Sequence, residues 1–527
     1  MSEEVSRPVR RRDFLKGAGL LGGLVVPAGF MSARAGWRNP SRSAAMLAAG
    51  PMEDLAPSPP VIPFQAAFRT PPVLAPTRAD ADTDYYEITM RPAVVEILPG
   101  RPTTIWGFNG EFPGPTIKAR SGRRVVVRQT NNLPDAKPSI HLHGGHVDPG
   151  SDGYPTDVIA PGAAKEYVYP NRQLASTLSY HDHEMGRTGR NVYMGLFGAY
   201  LIEDDVEAGL NLPSGAYDVP VIIQDRTFGS DGSLQYSPDM MGVSGDVILV
   251  NGVPHPRFEV ANRRYRLRIL NGSNARDYEL ALSSGQSFIQ IATDGGLLPR
   301  PVRRTTIPLF PFERVEVIVD FSEVPVGSQV ILRNEAEVGR TGQIMLFDVA
   351  RQERDTSTVP PELRSLERLD QGTAVATRDF VLGMSMGMGG NRGMDGDRGM
   401  DGMNGMGWAI NGQTFDPARI DASPRLGSTE IWRFQNRSMM AHPIHVHLNM
   451  FQILDRNGSP PSEAESGWKD TVAVGQDETV RVIVKFTDFH GRYMVHCHNL
   501  EHEDDGMMAQ FEVVPAVSDS LEGRPRP

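Results

Sequence analysis

The sequence has almost no cysteine, no excess of basic residues and no long apolar run beyond its N-terminal region. The single cysteine, Cys497, excludes an internal disulfide. The net charge of -11 argues against a nucleic-acid-binding protein, which normally carries a basic stripe. Because no stretch of about twenty apolar residues follows the N-terminal region, we do not expect the mature chain to span a membrane.

What the 527 residues do contain is glycine (54) and proline (42) in amounts usual for proteins made of many short strands and turns. A mainly helical protein is correspondingly disfavoured. The length exceeds what one hydrophobic core ordinarily supports, so we expect two to four domains.

The N-terminal region has the features of an export signal. The pair Arg11-Arg12 stands before Phe-Leu-Lys, and a weakly apolar run and an Ala-x-Ala cleavage site follow. This arrangement resembles the twin-arginine signal of bacteria; an amphipathic helix is the alternative, which Pro27 and the nearby glycines disfavour. We therefore expect a signal peptide over 1–35, a flexible linker over 36–80, and a protein that works in the periplasm, at the cell envelope or outside the cell.

A weak internal repeat organises the rest of the chain. Each copy consists of an Asn-Gly turn, a strand in which apolar and polar residues alternate, and an Asn that ends this strand. The turns begin at Asn109, Asn251 and Asn411, and the closing residues are Asn131, Asn271 and Asn436. The copies are spaced as β-sandwich domains would be.

We therefore predict an all-β fold with three antiparallel β-sandwich domains. Their expected limits are 81–205, 206–355 and 376–516, with a polar linker over 356–375 and a tail over 517–527. Within the third domain, the segment 383–407 holds seven methionines among ten glycines. So Gly-rich a segment cannot pack a core, and we expect a mobile loop.

Ten of the thirteen histidines fall into four short clusters. The clusters are His141 and His143; His181 and His183; His442, His445 and His447; and His496, His498 and His502. Clustered neutral imidazoles compensate for their burial mainly by binding a metal. The other three, His146, His255 and His490, are expected at the surface or in ordinary hydrogen bonds.

The segment His496-Cys497-His498 is expected to serve two metal sites at once. In a strand, side chains at i and i+2 lie on one face and the side chain at i+1 lies on the other. Both imidazoles would therefore face one site and the thiolate another. The backbone between them would give electrons a short covalent path.

The thiolate side has candidates for a complete site. One thiolate, two imidazoles and a weak axial Met form the ligand set of a blue-copper centre. Cys497, His502 and Met507 supply three of these ligands, and His442 is the natural fourth because Pro443 separates it from the histidines that follow. A single cysteine is more often buried and inert, but these neighbours favour a metal ligand.

These motifs, in this order, resemble those of the multicopper oxidases, and among them the spore-coat laccases of bacteria and the bilirubin oxidases. The resemblance is carried by His-Pro-Ile-His-Val-His at 442–447, His-Cys-His-Asn-Leu-Glu-His-Glu at 496–503 and Gly-Trp-Lys-Asp-Thr-Val at 467–472. It covers about 81–516. It implies three cupredoxin-like Greek-key domains, with a copper cluster between the first and third domains and the second as a spacer.

The resemblance also implies four copper ions: one type 1, one type 2 and a type 3 pair. The implied ligands are His442, Cys497, His502 and Met507 for type 1; His141 and His445 for type 2; and His143, His181, His183, His447, His496 and His498 for type 3. Two carboxylates, Asp152 and Glu503, occupy the positions of proton-handling acids in the family. Their alternative role is that of ordinary turn or surface acids.

The activity implied is that of a laccase. Four one-electron oxidations of a small reduced substrate, such as a phenol, an aromatic amine or Cu(I), would be coupled to the reduction of dioxygen to water by a monomer. The Met-rich segment 383–407 resembles that of periplasmic cuprous oxidases, which detoxify copper. Those enzymes carry an acidic residue four positions before the type 1 histidine, where this chain has Ser438.

Other functions remain open at this point. One alternative is a broad phenol or bilirubin-type oxidase with an open pocket beside His502. For the loop itself, the alternative is a disordered segment whose methionines contribute little. Copper nitrite reductases also use cupredoxin domains, but their two-domain chains lack the full set of four motifs. An envelope scaffold or a copper store is the non-enzymatic alternative, and copper-free scaffolds of this family have lost the ligands that this chain retains.

Overall fold

The computed structural model describes residues 55–386 and 406–516. The expected signal peptide and C-terminal tail lie outside this range. The described residues are mostly in strands, with three short α-helices: α1 (Thr188–Met194), α2 (Asp205–Ala208) and α3 (Leu500–Asp504). Single turns of 3-10 helix occur at Pro149–Ser151, Gly215–Tyr217, Gln371–Thr373 and Glu463–Glu465. Within this range no helix has both the length and the apolar character needed to cross a membrane.

Residues 78–203 form two sheets around one core. The strands are β1 (Arg78–Ala79), β2 (Thr83–Leu98), β3 (Arg101–Phe108), β4 (Gly114–Arg120), β5 (Arg124–Asn131), β6 (Ile140–His143), β7 (Ala164–Tyr169), β8 (Ser176–Asp182) and β9 (Phe197–Glu203). One sheet has the order β1-β2-β5-β7, with β3 paired to β2, and the other has the order β4-β9-β8-β6. Val127 and Tyr167 of the first sheet share a buried cluster with Leu178 and Tyr200 of the second.

Residues 218–351 repeat this arrangement. The strands are β10 (Asp218–Arg226), β11 (Val247–Val250), β12 (Val253–Pro254), β13 (Arg257–Ala261), β14 (Arg264–Asn271), β15 (Tyr278–Leu282), β16 (Phe288–Thr293), β17 (Gly296–Arg304), β18 (Thr306–Leu309), β19 (Arg314–Asp320), β20 (Gln329–Asn334) and β21 (Gln343–Arg351). The sheet orders are β12-β11-β10-β14-β19-β16-β17 and β13-β21-β20-β15-β18. Leu267 and Val317 of the larger sheet pack in one cluster with Leu280 and Phe347 of the smaller.

Residues 374–513 form the third pair of sheets. The strands are β22 (Ala374–Met386), β23 (Met406–Ile410), β24 (Thr429–Asn436), β25 (His442–Val446), β26 (Phe451–Arg456), β27 (Thr471–Val474), β28 (Thr479–Lys485), β29 (Gly491–Cys497) and β30 (Met508–Val513). The orders are β23-β22-β24-β28-β26 and β27-β25-β29-β30. Trp432 and Val482 share a buried cluster with Ile444 and Val495 of the facing sheet.

The Asn-Gly turns have the same conformation in all three regions. Asn109, Asn251 and Asn411 have positive φ angles of 57°, 51° and 54°, and the glycine after each is also positive, as a type I′ turn requires. Each Asn side chain accepts a hydrogen bond from a backbone N–H of β2, β10 or β22, the strand before the one that leads into the turn. That strand then pairs in parallel with the alternating strand of the same copy: β2 with β5, β10 with β14, and β22 with β24.

The closing asparagines explain why an amide ends each alternating strand. Asn131, Asn271 and Asn436 are all buried, and each side-chain NH2 donates to two backbone carbonyls. Each side-chain oxygen accepts from the backbone N–H two residues later. One amide therefore satisfies three backbone groups at the same place in every copy. The predicted all-β fold of repeated β-sandwiches is confirmed.

The flexible linker expected over 36–80 needs correction for residues 55–80. Ser58 is buried and its backbone N–H donates to Asp246 at 2.9 Å. Phe68 packs its ring 4.5 Å from that of Phe258. These contacts fix the segment to the surface of the second pair of sheets.

The loop expected over 383–407 also needs correction, because both ends of this segment lie in strands. Its two ends belong to β22 and β23, which pair with Met384 opposite Trp408 and Met386 opposite Met406. The remainder, 387–405, lies outside the described residues. The first and last residues of the expected loop are therefore part of the pairing between β22 and β23.

Candidate metal centres

Four strands bring the histidine clusters together. His141 lies opposite His181 in the pairing of β6 with β8, and His445 lies opposite His496 in the pairing of β25 with β29. The two pairs of strands meet face to face. At their contact, the ring of His141 stacks on that of His447 with the ring centroids 3.8 Å apart. Residues from the first and third pairs of sheets thus form one buried centre.

This eight-histidine centre contains three groups of facing ring nitrogens. They are His141 with His445; the triad His143, His181 and His498; and the triad His183, His447 and His496. The Nε2 atoms of His141 and His445 are 3.3 Å apart. In the triads, Nδ1 of His143 lies 3.0 Å from Nε2 of His498, and Nε2 of His447 lies 3.1 Å from Nε2 of His496.

Asp152 holds two of these rings from the side of the first pair of sheets. Its backbone carbonyl accepts a hydrogen bond from His141 Nδ1 at 2.6 Å. Its carboxylate Oδ2 accepts from His447 Nδ1 at 2.7 Å. The other carboxylate oxygen, Oδ1, is buried and has no hydrogen-bond partner, and burial raises the pKa of Asp152 well above its usual value.

Asp470 holds two rings in the same way from the side of the third pair of sheets. Its backbone carbonyl accepts from His445 Nδ1 at 2.9 Å, and its carboxylate Oδ1 accepts from His143 Nε2, also at 2.9 Å. The guanidinium of Arg314 pairs with the same carboxylate, with Nη1 at 2.7 Å from Oδ1. Although burial raises the pKa of Asp470, Arg314 outweighs it and holds the pKa well below its usual value.

Glu503, in α3, faces the triad that contains His183 and His496. Oε2 lies 3.1 Å from His496 Nδ1, and Oε1 lies 3.4 Å from His183 Nδ1 and accepts the hydroxyl of Thr188 at 2.8 Å. Burial raises the pKa of Glu503, but the two imidazoles outweigh it and lower the pKa to about 2. Both predicted acids, Asp152 and Glu503, therefore contact the centre.

The oxygen acceptors decide what the centre can bind. An acceptor at the outer nitrogen fixes the ring proton there, so the inner nitrogen of the same neutral ring carries a lone pair. Burial lowers the pKa of His181 to about 3 and that of His183 to about 4, and Nε2 of His181 has no hydrogen-bond partner. Lone pairs facing one another at such distances repel unless a cation lies between them. The residues present thus fit a cluster of metal ions.

Cys497 lies in a second site on the opposite side of β29. Its Sγ is 3.5 Å from Nδ1 of His442 and 3.6 Å from Nδ1 of His502, and these two nitrogens are 3.2 Å apart. The imidazoles that flank Cys497 in sequence face the eight-histidine centre, so the predicted alternation is present. Burial raises the pKa of the thiol, and a bound metal would offset this because it deprotonates a coordinating thiol.

Met507 adjoins this site. Its side chain is fully buried in the core that also contains Cys497. Its backbone carbonyl accepts from the N–H of Cys497 at 3.0 Å, and its N–H donates to the carbonyl of His502 at 2.8 Å. The turn after α3 thus places Met507 next to Cys497.

The rim of the Cys497 site is closed by uncharged groups. His442 Nε2 donates to the hydroxyl of Ser438 at 2.7 Å, and His502 Nε2 donates to the backbone carbonyl of Met240 at 3.2 Å. The indole N–H of Trp408 donates to the same carbonyl at 2.9 Å, and its ring lies 4.3 Å from that of His502. The side chain of His502 is therefore buried, and its outer nitrogen lies against the carbonyl of Met240.

Sequence patterns did not identify several residues of these sites. Asp470 lies in a motif that carried the resemblance, yet it received no role. Arg314 and Phe312 reach the eight-histidine centre from the second pair of sheets, which corrects the expectation that this region is only a spacer. Met240 and Trp408 come from distant parts of the chain, and no local signal marks either one.

Comparison with known proteins identifies the family. Two family models described as multicopper oxidase match residues 89–207 and 394–517. A laccase of Bacillus subtilis (strain 168) is 36% identical over 521 residues, with 85% of this chain and 98% of that protein covered. The chain belongs to the multicopper oxidase family. A bilirubin oxidase of Albifimbria verrucaria is also 36% identical, over 81% of this chain and 76% of that protein.

Solved structures of multicopper oxidases show the same fold. A laccase from Pediococcus acidilactici has a TM-score of 0.76 at 35% identity, with 86% of this chain and 95% of that chain covered. The McoA multicopper oxidase from Aquifex aeolicus has a TM-score of 0.76 at 32% identity, with coverage of 86% and 100%. The expected cupredoxin-like sandwiches are confirmed. Membership implies copper, which the histidine clusters fit, and a laccase-like oxidoreductase that uses dioxygen and a reduced substrate.

Proposed function

We propose that this multicopper oxidase holds four copper ions, with the ligands divided between the two sites described above. The type 1 copper would take His442, Cys497, His502 and Met507; the type 2 copper His141 and His445; and the type 3 pair His143, His181, His183, His447, His496 and His498. The inner nitrogens that face one another without a proton between them carry this proposal. The last six ligands form two groups of converging ring nitrogens, and we assign one group to each ion of the pair.

When bound, copper supplies one-electron redox chemistry and the reduction of dioxygen to water, which takes up four electrons and four protons. The chain supplies the connection between the sites. Cys497 belongs to one site, and the flanking His496 and His498 belong to the two triads of the other. An electron therefore needs to cross only a few covalent bonds of β29.

Asp152 and Glu503 are proposed to handle the protons. Both carboxylates are buried against imidazoles of the eight-histidine centre. Oδ1 of Asp152 is an unused acceptor that could hold a proton. Thr188 connects Glu503 to the start of α1 through its hydroxyl. General acids placed in this way typically contribute factors of about 10²–10⁴ to a rate.

The proposed substrates are phenols and aromatic amines, oxidised one electron at a time. Cu(I) is a second candidate because thioethers, which are soft ligands, stand next to residues of the Cys497 site in sequence or in strand pairing. Met439 is 70% exposed three residues before His442, and Met384 is 36% exposed opposite Trp408 in the β-ladder. Bilirubin is a third candidate, in line with the relative named bilirubin oxidase.

We further propose that the chain acts as a monomer after twin-arginine export to the periplasm, the cell envelope or the medium. The motif at Arg11-Arg12 supports this location. The domain limits proposed from the sequence are 81–205, 206–355 and 376–516. The alternative of a scaffold or copper store predicts bound copper without dioxygen uptake.

The decisive experiment measures copper per chain and dioxygen uptake with a phenol, Cu(I) and bilirubin under identical conditions. The proposed function predicts four coppers and one dioxygen consumed for every four electrons delivered. Copper-free protein, reconstituted step by step, is the control. Bound copper without dioxygen uptake from any of the three donors would favour the store or scaffold instead.

A further inference from the structure

Phe312 is a residue of the second pair of sheets that lies inside the eight-histidine centre. It stands between β18 and β19, is 1% exposed and has a backbone φ of 63°. A bulky side chain rarely adopts this left-handed conformation. Such strain costs about 1–3 kcal/mol and persists only where the surroundings fix it. Here the N–H of Phe312 donates to the carbonyl of Asn271, the closing residue of the second repeat, at 2.8 Å.

The ring of Phe312 covers one of the two triads. It stacks on His498 with centroids 3.8 Å apart and an interplanar angle of 24°. It meets His181 edge-on at 4.8 Å and lies 5.8 Å from His143. These three histidines form one complete group of converging ring nitrogens. One apolar side chain therefore contacts every member of this triad.

The same segment acts on this triad by a second route. Arg314, two residues after Phe312, pairs with Asp470, whose Oδ1 accepts from His143 Nε2. The guanidinium also donates to the carbonyl of Phe312 at 3.1 Å. Arg314 thus links the backbone that carries the ring to the carboxylate that orients His143.

The opposite triad has different surroundings. Its members are held by carboxylates: Asp152 accepts from His447, and Glu503 lies beside His183 and His496. One triad is thus covered by an aromatic ring and the other by acids.

We propose that Phe312 and Arg314 are positioning residues by which the second domain shapes the trinuclear copper centre. Phe312 excludes water from the triad of His143, His181 and His498 and fixes the planes of these rings, while Arg314 fixes His143 through Asp470. This proposal relies on the proposed function only for the identity of the metal. Removing such supporting contacts typically weakens metal binding by about 10–100-fold.

The test uses Phe312→Leu and Phe312→Gly in the full-length, copper-loaded protein. Leu keeps an apolar side chain but no planar ring, whereas Gly also relieves the left-handed backbone. The matched control is Phe321→Leu, because Phe321 is equally buried and lies 5.2 Å from the ring of Phe347, within the core of the same pair of sheets. Copper is removed with a graded chelator, and total copper, the blue absorption and the absorption of the type 3 pair are recorded together with the unfolding temperature.

Both Phe312 variants should lose copper from the type 3 pair at about 10–100-fold lower chelator concentration than the wild type. Their blue absorption should be unchanged, and Phe321→Leu should bind copper like the wild type. Phe312→Leu serves as the check on folding, because it keeps most of the buried apolar side chain and should unfold close to the temperature of Phe321→Leu while losing copper that Phe321→Leu retains. If both Phe312 variants retain the pair as Phe321→Leu does, the inference is overturned although the proposed function stands. A wild-type protein that binds no type 3 copper would overturn the proposed function itself.

Discussion

The two metal sites of this protein share the strand β29 but differ in what surrounds their imidazoles. At the Cys497 site, the outer nitrogens of His442 and His502 meet a hydroxyl and a backbone carbonyl, both uncharged. At the eight-histidine centre, the outer nitrogens of His447 and His143 meet the carboxylates of Asp152 and Asp470. One site is sealed by neutral groups, and the other is built on carboxylates.

Under the proposed function, this difference corresponds to what each site transfers. Electron transfer alone needs no group that binds a proton, and neutral groups take up no proton when the electron arrives. Reduction of dioxygen also consumes protons, and buried carboxylates can hold them. Within the carboxylate-rich centre the two aspartates differ again, because Arg314 lowers the pKa of Asp470. We therefore propose that Asp470 is an anchor and that Asp152 exchanges a proton.

The largest expected effect is on the unfolding free energy, and it comes from removing the positive charge of Arg314, which pairs with Asp470 but not with Asp152. Arg314→Met leaves the buried carboxylate of Asp470 without its partner. Breaking a buried ion pair in this way costs about 3–5 kcal/mol. We expect a decrease of this size in the unfolding free energy of copper-free protein, measured in urea.

The control for this variant is Arg433→Met, since the side chain of Arg433 is 41% exposed and that of its partner Asp379 is 44% exposed. Its effect should be much smaller because solvent screens such pairs. Adding Asp470→Asn to Arg314→Met should recover part of the lost stability. If Arg433→Met and Arg314→Met destabilise equally, the anchor role of Asp470 is wrong.

Neutralising the acids beside the eight-histidine centre should impair proton delivery without affecting electron transfer at the Cys497 site. Asp152→Asn and Glu503→Gln are expected to slow dioxygen reduction by about 10²-fold, the size of a lost general acid, while the blue absorption persists. Stopped-flow reoxidation of the reduced enzyme measures this rate. Glu501→Gln is the matched control in α3, since Glu501 accepts from Asn274 instead of an imidazole. Loss of the blue absorption would show that these acids support copper binding.

Removing the Met-rich segment tests whether Cu(I) reaches the Cys497 site as a substrate. Because Met386 pairs with Met406, residues 387–405 can be replaced by Asn-Gly, which closes a two-residue hairpin. Turnover of Cu(I) should fall roughly tenfold, as expected for the loss of about 1.4 kcal/mol of ligand contact. Turnover of a phenol should stay close to that of the wild type. Equal losses for both substrates would remove the segment from the mechanism.

The smallest effect is expected at Trp408, which lies beside His502 at the rim of the Cys497 site. Trp408→Phe keeps an aromatic ring over His502 but removes the hydrogen bond to the carbonyl of Met240. One such bond is worth about 1 kcal/mol, a factor of about five. Anaerobic reduction of the blue copper by an outer-sphere donor should change by no more than this, and reoxidation should not change. A change in reoxidation would show that the two sites are less separate than their surroundings indicate.

Local patterns were sufficient to predict much of this molecule. The alternation around Cys497 follows from strand geometry, and each closing asparagine marks a position where one amide satisfies three backbone groups. The groups that hold the outer nitrogens were not predictable in this way. A backbone carbonyl such as that of Met240 leaves no trace in the sequence, and Arg314 meets Asp470 only because separate pairs of sheets pack together.

The course of the connecting segments was also beyond sequence patterns. The Pro-rich composition of residues 55–80 suggested a tether, yet Ser58 and Phe68 dock on the body of the protein. Composition reports how easily a segment could be flexible, but not whether a complementary surface lies within reach. The Gly-rich segment likewise begins within a ladder, because residues 383–386 pair with residues 406–409 of β23.

We infer that β29 serves two separate metal sites, with Cys497 on one side and its neighbouring imidazoles on the other. Copper content and electron paramagnetic resonance of Cys497→Ser, compared with the wild type, show whether the two sites are separate. We expect three coppers in place of four, loss of the blue type 1 signal and an unchanged type 2 signal. If the type 2 signal and the remaining coppers disappear together with the blue colour, the two sites are not independent.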